Sequence, residues 1–150
     1  MEPGLLIADE PTTALDVTIE AQILALIREL QEQNGLSVIM ITHDLGVVSE
    51  ITDTVIIMYA GQIVEQAITA TIMRKAKHPY TQALIQSRPR IGQTERLVPV
   101  EGMVPNLANL PKGCYFAPRC PQAEDICFQQ QPPMIYLNTD QSVKCWLYDE

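Results

Sequence analysis

Apolar residues take two arrangements along this chain: unbroken runs, and a recurrence every three or four positions. Leu5-Leu6-Ile7-Ala8 and Leu36-Ser37-Val38-Ile39-Met40-Ile41-Thr42 are runs without alternation, the pattern of strands buried on both faces of a parallel sheet. Between them Ile19, Ile23, Leu26, Ile27 and Leu30 recur at helical spacing, and Glu20, Arg28, Glu29 and Glu32 take the wet face. Asp16 or Thr18 suits the start of that helix, and Asn34-Gly35 offers a left-handed stop. Strand, helix and strand in this length predict a βαβ unit with a right-handed crossover. Leu45 to Ile51 predicts a short helix. Asp53 to Tyr59 predicts a third strand, turning at Ala60-Gly61 into Gln62-Ile63-Val64-Glu65. His78-Pro79 predicts another helix start, with proline in its first turn. From Arg88 to Lys112 the periodicity fades and prolines accumulate, which predicts a linker wrapping into a small accessory domain.

Composition narrows the function classes. A chain of 150 residues suits one domain or part of a larger one. A net charge of −8 argues against a nucleic-acid partner, which needs clustered Lys and Arg. No apolar run approaches the roughly 20 residues that span a bilayer, and no signal-peptide pattern opens the chain, so membrane association is expected through a partner. Met1-Glu2-Pro3-Gly4 leads at once into a buried strand, a poor beginning for a domain.

Candidate chemistry lies where the first run stops. Ligands of parallel sheets gather at the carboxyl ends of the strands, where Asp9 and Glu10 fall. One of two adjacent carboxylates can hold a hydrated Mg²⁺ while the next polarises a water for attack on a phosphoryl group. The plainer reading is that they end a strand and cap the segment after it. The βαβ unit brings Thr42-His43-Asp44 to the same edge, where an imidazole can meet a phosphate or be an ordinary strand-end residue. Cys114, Cys120, Cys127 and Cys145 have the spacing C-x5-C-x6-C-x17-C. That spacing leaves a metal site, buried free thiols and disulfides all open, although a metal supplies folding energy to a small proline-rich segment with few aromatics.

Ile7-Ala8-Asp9-Glu10-Pro11-Thr12-Thr13-Ala14-Leu15-Asp16 resembles the Walker B segment and D-loop of ABC-transporter ATPases, and Ile41-Thr42-His43-Asp44-Leu45 resembles their H-loop. The resemblance implies that Asp9 orients Mg²⁺, Glu10 is the general base for water, His43 senses the γ-phosphate of ATP, and Asp16 signals across an ATPase dimer. His78-Pro79-Tyr80-Thr81-Gln82-Ala83-Leu84 and Cys114-Tyr115-Phe116-Ala117-Pro118-Arg119-Cys120-Pro121 resemble the segments after the core in oligopeptide and dipeptide importer ATPases, a pattern shared by nickel importers. That likeness implies a 4Fe–4S cluster on the four cysteines, with Zn²⁺ as runner-up, in a structural rather than a redox role. Arg119 is expected at the surface or against a cluster sulfur. Ala67 stands where the family is expected to have glycine.

The implied architecture is α/β: the C-terminal half of a P-loop ABC ATPase core with a parallel sheet, then a small irregular cysteine-rich extension. Its expected parts are residues 1–68, a helical segment 69–90, and a linker with the extension at 91–150. The resemblance implies an ATP-hydrolysing subunit that energises peptide import from the cytoplasmic face of the cell membrane. Its partners would be membrane-spanning permease subunits, a second homologous ATPase subunit and, indirectly, a solute-binding protein. No G-x-x-x-x-G-K-S/T occurs in the sequence, nor a Q-loop or Ser-Gly-Gly-Gln signature, so the chain alone is not expected to bind or hydrolyse ATP. The missing central strand is expected to leave unpaired strand edges. The alternative is a non-catalytic metal- or iron–sulfur-binding regulatory module derived from such an ATPase.

Overall fold

A computed structural model describes residues 3–88, 100 and 102–149. Of the linker expected from Arg88 to Lys112, residues 89–99 and Glu101 lie outside the described residues, as do Met1 and Glu2 of the opening stretch. The chain divides into two compact units, residues 1–51 and 52–150.

In the first unit, β1 (Leu5–Asp9) and β2 (Ser37–Ile41) pair in parallel, from Leu5 opposite Ser37 to Asp9 opposite Ile41. Between them runs α1 (Val17–Asn34). The Asp16 carboxylate caps α1, accepting the N–H groups of Thr18 and Ile19 at 3.0 Å each. Gly35 ends it at φ 61°, the left-handed conformation a helix stop favours. Helix α2 (Leu45–Ile51) follows β2, and Leu24, Ile27 and Val47 are the buried apolar residues of the two helices.

Burial on both faces of these strands, expected from their unbroken apolar runs, is not observed. Ile7 is 61% exposed and Ile39 50%, with Leu5 and Ile41 exposed beside them, while Leu6, Ala8, Val38 and Met40 are half-buried. Side chains alternate along a strand, so this two-stranded sheet covers one face and leaves the other open.

The second unit is built on an antiparallel sheet. Strands β3 (Thr54–Tyr59) and β4 (Gln62–Ile68) form a hairpin, and Ala60 and Gly61 turn it at φ 46° and 80°. Both central residues at positive φ match the twist of the flanking strands. Helices α3 (Thr69–Lys75) and α4 (Pro79–Gln86) come next, then α5 (Asp125–Gln129), β5 (Ile135–Asn138) and β6 (Gln141–Val143). The strand order is β3-β4-β6-β5. The region after residue 91, expected to be irregular throughout, thus supplies two strands, and β6 pairs the hairpin edge that β4 would otherwise leave open. Ala67 lies within β4, one residue before its end, between Val55 and Gln141 rather than in a turn, and is 1% exposed.

One irregularity shapes the interior of this unit. The β3–β4 register shifts so that Ile57 faces Glu65 but Met58 faces Ile63. The extra residue is a β-bulge, which turns two successive side chains, Val64 and Glu65, to the interior.

Candidate functional site

Two groups of sequence-selected residues occupy separate units. In the first, the backbone leaves β1 sharply: Glu10 has φ 48° while its N–H donates to the Ile41 carbonyl at 2.8 Å. A non-glycine residue in this region carries strain of about 1–2 kcal/mol, and here a second bond holds the turn, from Thr13 N–H to the Glu10 carbonyl at 3.2 Å. The Glu10 carboxylate accepts the Thr13 hydroxyl at 2.5 Å on one oxygen and meets His43 Nδ1 at 2.9 Å on the other. Adjacent parallel strands therefore bring Glu10 and His43 together across their carboxyl ends. Hydrogen bonds from Thr13, first, and from His43 hold the Glu10 carboxyl below its ordinary value, while the bond to Glu10 raises the His43 imidazole. Beyond β2, the Asp44 N–H donates to the Thr42 hydroxyl at 3.0 Å and the Asp44 carboxylate accepts Gly46 N–H at 2.5 Å, which fixes the turn carrying His43. Asp9 is exposed at the end of β1. Asp16 uses its carboxylate as the α1 cap.

The second group surrounds a cavity. Cys114, Cys120, Cys127 and Cys145 all line it, with His78, Phe116 and Trp146, around a space of about 310 Å³ that includes its open mouth. All four are free thiols, Cys127 and Cys145 buried. Burial pushes the thiols of Cys114 and Cys120 up, and that of Cys145 up to about 11, with the other three cysteines adding to the rise at Cys145. Backbone N–H groups work in the opposite direction. Backbone groups of Phe116 and Ala117 at Cys114, of Gln122 at Cys120 and of Leu147 at Cys145 lower each value by less than burial raises it. Burial prevails and favours the neutral thiols.

Close packing closes the loop. Cys114 N–H donates to the Cys127 carbonyl at 2.7 Å, and a Cβ on Gly113 would stand 2.2 Å from that same oxygen. Only glycine fits there. The Gln131 amide donates to the Gly113 carbonyl, and Trp146 Nε1–H to the Gln130 carbonyl at 3.1 Å. Arg119 is partly buried: its guanidinium donates to Tyr59 Oη and the Val100 carbonyl and lies over the rings of Tyr59 and Phe116.

A family described as the C-terminal region of oligopeptide/dipeptide transporters matches residues 64–127, which hold three of the four cysteines. Over 99% of its length the chain is 51% identical to the oligopeptide transport ATP-binding protein AppD of Bacillus subtilis, and covers 45% of that protein. The dipeptide transport ATP-binding protein DppD of Haemophilus influenzae is 50% identical over 95% of the chain, with 43% of its own length covered. A putative peptide import ATP-binding protein of Brucella ovis is 48% identical, with 46% covered. Over nearly all of its length the chain is similar to oligopeptide and dipeptide transport ATP-binding proteins. It spans a little under half the length of these relatives.

Within that family match lie residues whose importance the sequence pattern did not signal. Glu65 is fully buried, and its carboxyl oxygens accept the N–H groups of Lys77 at 2.8 Å and His78 at 3.0 Å and the Gln141 amide at 3.0 Å. One side chain thus joins β4, the entry to α4 and β6. His78 caps α4, its Nδ1 accepting Tyr80 N–H at 3.1 Å, and burial lowers its pKa to about 4. His78-Pro79 announced a helix start; nothing in the sequence put the ring beside the cysteines.

Proposed function

We propose that this chain forms the catalytic-edge part of a peptide-importer ATP-binding subunit, with Asp9 orienting Mg²⁺, Glu10 acting on water and His43 reading the terminal phosphate. The bond between Glu10 and His43 at 2.9 Å, across the ends of β1 and β2, carries this reading. ATP with Mg²⁺ supplies the electrophilic phosphorus when bound. Glu10, kept ionised and held by Thr13 and His43, can accept a hydrogen bond from water and orient it. Asp16 takes the position of the D-loop carboxylate. Hydrolysis would drive uptake of peptides through permease subunits at the cytoplasmic face of the membrane, beside a second ATPase subunit and fed by a solute-binding protein. Functional boundaries at residues 68 and 90 separate the core part, the helical segment and the cysteine-bearing region.

The 150-residue chain alone, having no glycine-rich phosphate loop, is not itself a hydrolase. In a longer subunit containing this sequence, Glu10→Gln should lower ATP turnover at least about 100-fold while nucleotide binding persists. Turnover within a few fold of the parent would remove Glu10 from this role.

The cysteines support a second reading: a metal–sulfur group held by Cys114, Cys120, Cys127 and Cys145 in a structural, non-catalytic role. Four free thiols lining one cavity supply the soft donors that a thiolate-bound cofactor takes. Among the described residues no group of three or more Cys, His, Asp or Glu is arranged to hold a metal ion, so the preference for a 4Fe–4S cluster over Zn²⁺ rests on the likeness of Cys114 to Pro121 to the importer ATPases and not on geometry. Iron and acid-labile sulfide measured after anaerobic isolation test it. Parent protein that retains neither would reject the cluster, and zinc in their place would reverse the preference.

A further inference from the structure

We propose that Thr13 is the positioning residue that anchors one oxygen of the Glu10 carboxylate and so leaves the other, Oε1, as the oxygen that works on water; this rests on the reading of Glu10 above. The Thr13 hydroxyl donates to Glu10 Oε2 at 2.5 Å, while Oε1 faces His43 Nδ1 at 2.9 Å. The two holders differ in how firmly they are themselves held. His43 is 80% exposed and meets Glu10 through one ring nitrogen. Thr13 sits within paired turns: its N–H donates to the Glu10 carbonyl, and the Leu15 N–H donates to the Thr12 carbonyl, at 3.2 Å each. Thr12 beside it is buried, and left-handed residues flank the loop, Glu10 at φ 48° and Ala14 at φ 62°. Residues other than glycine keep that conformation only where surrounding structure over-determines it. Branching at Cβ further restricts the Thr13 side chain to few rotamers. Thr13 thereby grips Glu10 at its carbonyl and at its carboxylate. Glu10 needs such an anchor, because its side chain is long, rotamer-rich and 37% exposed. A hydroxyl–carboxylate bond of this length is charge-assisted and strong. With Oε2 tied back to the turn, Oε1 is the oxygen presented across the strand ends, where β2 delivers His43.

Two measurements test this. In the 150-residue chain, three-bond nuclear magnetic resonance couplings along the Glu10 side chain should report one dominant rotamer in the parent and in Thr13→Ser. Thr13→Val, which keeps the shape but loses the hydroxyl, should average those couplings while hydrogen exchange in α1 stays parent-like. In a longer subunit containing this sequence, Thr13→Val should lower kcat for ATP about tenfold at unchanged KM, and Thr13→Ser should restore it to within about threefold. A merely structural role would instead move KM and the α1 exchange together and would not be rescued by serine, which overturns the proposal. Averaged Glu10 couplings in the parent overturn it without any variant. Parent-like kcat in Thr13→Val, when Glu10→Gln has lost turnover, overturns it while the reading of Glu10 stands. Turnover kept in Glu10→Gln overturns both.

Discussion

The two candidate sites are made in opposite ways. The Glu10–His43 pair sits at the surface, where a parallel register and two turns carry short side chains to one edge. Its geometry comes from backbone bonds close in sequence to each strand end, and its charges remain in reach of water. The cysteine cavity is interior, and each wall arrives from a different part of the chain. Glu65, Gln141 and the backbone at Lys77 and His78 draw 76 positions of sequence together through one carboxyl group. Side chains held by backbone bonds near them in sequence keep their geometry at the surface. Sulfurs gathered from distant segments keep theirs only through the packing that buries them. The difference teaches where each site is vulnerable: one through its local turns and charges, the other through remote packing.

The sharpest way to break this contrast is at Glu65. Glu65→Ala removes the acceptor from three donors inside the second unit, at a cost of about 3–5 kcal/mol. Hydrogen exchange should show loss of protection at Lys77 and His78 and along β6, and denaturant unfolding should give the size. A loss under about 1 kcal/mol would mean that water replaces the carboxyl group and that remote packing is not what holds the cavity. Gly113→Ala comes next. Its Cβ would collide with the Cys127 backbone, not with a flexible side chain, so relief requires moving the loop, at about 1–3 kcal/mol. The expected readout is a lower Tm. A parent-like Tm would show that the Cys114 and Cys127 segments need not touch.

Legibility followed the same divide. Asp9-Glu10 at the end of an apolar run and His43 at the end of the next were readable because strand ends of a βαβ unit share an edge by topology, and the register places Asp9 opposite Ile41 as that argument requires. The caps at Asp16 and Gly35 and the turn at Ala60-Gly61 were readable because each depends on the chemistry of one or two residues. The open outer face of β1 and β2 was not, since an apolar run reports what a strand can bury rather than what covers it. Glu65 was hidden for a further reason: the bulge at Val64 breaks the two-residue alternation that would have pointed it to solvent. The four-residue strand β5 and three-residue β6 are too short for periodicity to register, and β4, which β6 pairs, lies about 75 positions upstream of it.

Perturbations in the first unit should be smaller. Asp16→Ala leaves the Thr18 and Ile19 N–H groups without their acceptor and should cost about 1 kcal/mol, seen as faster exchange in the first turn of α1. An unchanged first turn would show that water caps it equally well.

The smallest effect is the most diagnostic of an exposed, charge-based site. His43 titrates above its ordinary 6.5 because Glu10 faces it, and Glu10 below its ordinary 4.5 because Thr13 and then His43 bond to it. The raised His43 contributes stability that is fully present below about pH 6.5 and is lost as pH rises through its folded value. The lowered Glu10 contributes stability present above about pH 4.5 and lost as pH falls through its folded value. Both gains are therefore complete only in the window between about pH 4.5 and 6.5, and taper on either side. Nuclear magnetic resonance titration should place the His43 midpoint above 6.5, and Glu10→Gln should return it toward that value. Thr13→Ala should raise the Glu10 midpoint while His43 keeps most of its shift. Because both groups are open to solvent, raising the ionic strength to about 1 M should shrink the Coulombic part of the His43 shift. A His43 midpoint unmoved by both Glu10→Gln and salt would mean that the 2.9 Å contact does not persist in solution, and the surface site would lose the pairing that defines it.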